Sequence, residues 1–97
     1  MPSNARFALS WCPITPANVR RADNEEHDEM DEQRSYYRTL PLALQAAKVA
    51  AVASMYGSAT VRQQERTGLD DPWVSGPARW VASVSTSGEL TIEKVAD

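Results

Sequence analysis

The sequence predicts an α+β domain: a small antiparallel sheet of about four to five strands, ordered β-β-α-β-β-β, with one Ala-rich helix packed on one face. Two observations carry this. Alanines are dense between residues 40 and 56, and period-two alternation of apolar and polar residues recurs on both sides of that stretch. Ninety-seven residues suffice for a single domain over 1–97 with one modest core. Residues 1–5 are expected to be flexible.

Residues 6–12 read as the first strand, because Phe7, Leu9 and Trp11 alternate with Ala8, Ser10 and Cys12. Pro13 and Pro16 end it, and Thr15-Pro16 suits the start of a short helical turn reaching about Arg21. Residues 34–38 read as a short strand pairing with the first. Its adjacent tyrosines, Tyr36 and Tyr37, must then point to opposite faces, so one of them is exposed.

The helix is expected over 40–56. Thr39 is a good N-cap, Pro41 fits the first turn, and Gly57 stands where a left-handed C-terminal cap belongs. Leu40, Leu44, Ala47, Ala51 and Met55 make one stripe at helical spacing. Leu42, Ala46, Val49 and Ala53 fall on nearly the opposite side. A helix this apolar needs cover on a second face, supplied either by the acidic segment before it or by a second copy of the chain.

Residues 58–67 form the next strand candidate, polar enough to be half exposed or at an edge. Residues 68–77 read as a loop, with Trp73 inside it as a plug over the core or an exposed anchor. Residues 78–86 alternate as a strand with Trp80, Ala82 and Val84 on one face. Ser87-Gly88 supplies a turn, and 90–95 returns with Leu90 and Ile92 inward. The second face of the sheet has few large apolar residues, so water reaches it.

Charge is unevenly placed. The net value is −3, but Asp23, Glu25, Glu26, Asp28, Glu29, Asp31 and Glu32 crowd seven acids into ten residues. Ten basic residues, eight of them Arg, then face only six acids elsewhere. Residues 22–34 are expected as an acidic loop or frayed helix, since like charges four apart disfavour an isolated helix. Closely spaced carboxylates also suit a docking surface for a basic partner, because they offer Arg side chains the anionic oxygens that phosphates do. Divalent-cation binding is a poorer match, because the run lacks the glycine that a calcium loop needs at its sixth position. No metal is assigned.

Chemistry-bearing motifs are sparse. The four glycines are scattered, so there is no phosphate-binding loop, and no Ser or Cys nucleophile stands near the one histidine, His27, in a catalytic context. Asp70 and Asp71 fit turn formation before Pro72. Cys12 is a single thiol, expected as a small buried apolar residue. With no disulfide pair and no bilayer-length apolar run, the expected compartment is the cytoplasm. No catalytic residue and no cofactor is assigned, and the chain is expected not to be an enzyme.

Two functional expectations follow. The first is a non-catalytic protein-binding module whose partner is another protein with a basic surface. The seven acids of residues 23–32 would be its contacts, and Tyr36, Tyr37 or Trp73 its anchors. Phage and mobile-element inhibitors, anti-CRISPR proteins among them, share this short, acidic, motif-free character. The most concrete form is thus an inhibitor docking on a basic, nucleic-acid-handling host complex. The alternative is a small nucleic-acid-binding or regulatory module that uses Arg62, Arg66 and Arg79 on an exposed sheet face. Homodimerisation through the helix at 40–56 fits its surplus of apolar surface.

Overall fold

Alternation in the first strand sets the architecture. A computed structural model describes residues 5–96; the flexibility expected of residues 1–5 therefore falls, except for Ala5, outside the described residues. Strand β1 (Ala5–Trp11) leads into helix α1 (Pro16–Asp23), a 3-10 turn (His27–Glu29) and strand β2 (Gln33–Tyr37). Helix α2 (Leu40–Val52) follows, then strands β3 (Ser58–Glu65), β4 (Val74–Val84) and β5 (Leu90–Ala96). The strands form one open antiparallel sheet in the order β2-β1-β3-β4-β5. The fold is α+β, as expected.

α2 packs on one face of the sheet. Ala43, Ala47, Ala50 and Ala51 are buried against Leu9, Ala59, Val61 and Ala82. Alanine at the contact lets the helix lie close to the strands and keeps the core small, with Leu9 and Val61 as its largest fully buried apolar side chains. Larger half-buried residues, including Phe7, Trp11, Tyr37, Trp80, Val84 and Ile92, seal its margin. Phe7 and Trp80 meet edge-on, with ring centroids 5.9 Å apart.

Several boundaries differ from the sequence expectation. α2 ends at Val52 rather than reaching residue 56. The cause is pairing with the segment after β1: Ile14 N–H donates to the Ala53 carbonyl at 3.0 Å, and Met55 N–H donates to the Cys12 carbonyl at 2.8 Å. Those bonds pull residues 53–55 away from helical geometry. Gly57 does hold a left-handed φ of 65°, but it turns the chain into β3 instead of capping the helix.

β3 is half exposed, as expected, yet it is the central strand rather than an edge. Thr60, Arg62 and Gln64 sit on the open face while Ala59 and Val61 face α2. β4 begins at Val74, so the last four residues of the expected loop, 74–77, are strand. Gly76-Pro77 enters the sheet at a register shift: Arg62 pairs with Arg79 and Gln64 with Ser75, leaving three residues of β4 opposite one of β3. Proline has no N–H to give to a ladder, and a bulge asks for none.

α1 starts as the sequence predicts. The Thr15 hydroxyl accepts from Asn18 N–H at 3.1 Å, and Pro16 opens the first turn. The acidic segment is ordered around one buried side chain. Asn18 is fully buried, its Nδ2 donates to the carbonyls of Pro13 (2.8 Å) and Asp31 (3.1 Å), and its Oδ1 accepts from Asp31 N–H at 2.8 Å. No described helix is long and apolar enough to cross a membrane.

Candidate functional site

The two faces of the molecule carry different chemistry. On the helix side, α2 contacts only the strands, and the acidic segment does not fold over it. Its outer surface is bare: Leu42, Val49 and Val52 are 55%, 71% and 62% exposed. With Gln45 they recur at three- and four-residue steps, the spacing of a seam that takes a partner helix. Exposed Tyr56 lies four residues beyond the end of α2, and its hydroxyl is 3.3 Å from Nδ1 of His27. The acidic segment therefore approaches the C-terminal end of α2.

Within that segment, Arg21 pairs with Asp31 at 2.9 Å and Arg34 with Glu32 at 2.7 Å. Among the described residues, Asp23, Glu25, Glu26, Asp28 and Glu29 make no ion pair, and all five are exposed. Glu25 is unusual. α1 closes with Glu26 N–H donating to the Arg21 carbonyl (2.7 Å) and Glu25 N–H to the Ala22 carbonyl (3.1 Å). This double bond pattern puts Glu25 at the position normally held by glycine, at φ 60°. A side chain there costs about 1 kcal/mol of backbone strain.

The other sheet face is rich in arginine. Arg6, Arg34, Arg62 and Arg79 project from it, with Arg62 and Arg79 directly opposed across β3 and β4. Arg6 lies over the rings of Tyr36 and Trp73, 4.0 and 4.2 Å from their centroids, and its Nε donates to Gln64 Oε1 at 3.0 Å. Arg66 approaches Trp73 at 4.5 Å and donates through Nη1 to the Leu69 carbonyl. Glu32, and then Tyr36, hold the Arg34 guanidinium above its ordinary pKa through hydrogen bonds. A groove of about 330 Å³ lies on this face, floored by Ala8 and Ser10 and walled by Arg34, Arg62, Gln64 and Ser75.

The structure thus separates the expected anchors from most of the acids. Tyr37 packs against the core on the helix side, whereas Tyr36 and Trp73 join through Arg6 on the open face. Trp73 plugs nothing in the core. Arg62 and Arg79 do come together, and Arg66 reaches the same face through Trp73. Arg6 and Arg34 were missed from sequence. The signal for Arg6 was its alternation with Phe7, which sets it on the face opposite the aromatic side.

Cys12 is half-buried, and burial, reinforced by the charge of Glu32, pushes its thiol above the ordinary value. A raised pKa leaves less thiolate at neutral pH. Alkylation by iodoacetamide at about pH 7.5 is therefore expected to run slower than for an exposed peptide thiol. A rate equal to the free thiol would contradict this. His27, Asp70 and Asp71 are all exposed, and among the described residues no three of His, Cys, Asp and Glu are placed to hold a metal ion. The chain matches no protein-family model, no curated protein and no solved structure.

Proposed function

We propose that the chain is a non-catalytic protein-binding module whose docking surface joins the acidic segment to the bare stripe of α2. Its partner is a protein with a basic surface beside an apolar strip. The most concrete form is an inhibitor that occupies a basic, nucleic-acid-handling complex. Glu25 is the observation that supports this reading most directly. A position that favours glycine keeps a carboxylate instead, and strain retained at the surface is common where a side chain has work to do. Five unpaired acids in one short segment add mutual repulsion that a basic partner would relieve.

Glu25→Gly separates stability from binding. It is expected to stabilise the fold by about 0.5–1 kcal/mol in thermal or urea unfolding, and to weaken partner capture. The partner recovered from a bacterial lysate by the native chain should be lost on a Glu25→Gln, Glu26→Gln, Glu29→Gln, Glu32→Gln variant and in about 0.5 M salt. Identical recovery by the folded variant at both salt levels would remove the acidic segment from the interface. Val49→Glu should abolish capture while leaving the unfolding temperature nearly unchanged, because Val49 is largely exposed. A concentration-dependent dimer disrupted by Val49→Glu would instead identify a second copy as the occupant of the stripe.

A further inference from the structure

We infer that the open sheet face, opposite α2, binds single-stranded nucleic acid, with backbone phosphates held by Arg6, Arg34, Arg62 and Arg79 and a base stacked on Tyr36. This goes beyond the protein-docking reading and does not depend on it, although the two surfaces adjoin at Glu32, which pairs with Arg34 at 2.7 Å.

The first argument is charge, which on this face is only partly compensated, since Glu32 pairs with Arg34 alone of the four arginines. Arg62 and Arg79 are directly opposed across neighbouring strands. Like charges in that position destabilise a sheet. Among the described residues no carboxylate pairs with either, nor with Arg6 or Arg66. Arg79 Nε and Arg66 Nε are also enclosed without a hydrogen-bond partner. An anion over Arg62 and Arg79 would relieve their mutual repulsion.

The second argument is shape. Ala8 and Ser10 give the groove a low floor, and Arg34 and Arg62 stand along it. A flexible polyanion can follow such a groove, with guanidinium forks taking successive phosphates. Flat sheet also suits an unpaired strand better than a duplex, whose grooves are read by protruding helices or ribbons.

The third argument distinguishes nucleic acid from an acidic peptide. Tyr36 is 48% exposed and has Arg6 against its ring. Gln64 fixes the Arg6 plane, so Tyr36 is held as a platform on which a base can stack. Carboxylate side chains have no use for such a platform.

The test is fluorescence anisotropy with a labelled homopyrimidine strand of about 16 nucleotides. Four engaged arginines predict a slope of about −3 in log affinity against log salt, hence about a sixty-fold loss between 50 and 200 mM. The Arg62→Gln, Arg79→Gln variant should bind about tenfold more weakly with a shallower slope. Its unfolding temperature should be equal or higher, because a like-charge pair is gone. Tyr36→Ala should cost about a further tenfold. Absence of binding at 50 mM salt overturns the inference. So does equal affinity for a duplex of the same length, or equal competition by polyglutamate. A Glu25→Gln, Glu26→Gln, Glu29→Gln variant, which leaves the Glu32–Arg34 pair intact, should retain strand binding, so failure of either surface is read separately.

Discussion

Asn18→Ala is expected to destabilise the fold by about 3 kcal/mol and to free the acidic segment while leaving the sheet intact. The side chain makes three hydrogen bonds in a fully buried site. Alanine would strand the carbonyls of Pro13 and Asp31 and the amide of Asp31, each costing about 1–3 kcal/mol if it stays dry. Water entering the vacated space would recover part of this. Hydrogen exchange provides the local readout: Asp31 N–H should lose its protection, whereas amides of β1 and β3 keep theirs until global unfolding. A loss below about 1 kcal/mol with Asp31 still protected would show that Asn18 does not organise the segment. Because the same bonds set the path from α1 to Glu32, partner capture should fall too, although no acidic residue has been changed.

Leu9→Ala is expected to cost about 3–4 kcal/mol, as a large-to-small change in a rigid core. Leu9 is fully buried in an inner strand, beneath a helix whose contacts are alanines. Those alanines have no side-chain length with which to fill a cavity, so collapse would require movement of the helix axis. Urea unfolding should show a lower midpoint with an unchanged slope. A domain of this length holds about 5–15 kcal/mol in all, so the variant should be folded at 25 °C but markedly less heat-resistant. A cost under about 1.5 kcal/mol would indicate that α2 settles onto the sheet freely.

Local signals located most elements. Thr15 and Thr39 announced both helix starts, and alternation identified which residues of β1 and β4 face the core; in β5 it placed Ile92, whereas Leu90, expected inward, is exposed near the strand's start. Contacts between distant segments account for the discrepancies. The early end of α2 follows from hydrogen bonds to Cys12 and Ile14, some forty residues away, which no helix propensity encodes. The central place of β3 was hidden because a strand polar on one face looks like an edge when its neighbours are unknown. The choice for Trp73 between core plug and exposed anchor was open for a similar reason: its partners, Arg6 and Arg66, become visible only once β1 and β3 are in register. On the candidate surfaces, the acidic run and the surplus apolar face of α2 were both evident. Their junction through His27 and Tyr56 was not, nor was the strained Glu25, because a positive φ depends on how the helix terminates. Asn18 gave the faintest signal, a poor helix former inside a short helix, which composition alone does not distinguish from a solvated residue.

The strand order has a consequence for synthesis. β1 emerges first from the ribosome but is an inner strand, flanked by β2 and β3. Its pairing with β2 is available once residue 37 has been made; its pairing with β3 waits until residue 65. At about 5–20 residues per second, that interval lasts about 1–6 s. During it, the growing chain offers an unpaired strand edge carrying Phe7, Leu9 and Trp11, the side chains that later line the core. The finished domain ends at β2 and β5 instead. Chaperones and aggregation-prone neighbours therefore meet a different surface during translation from the one the folded domain presents.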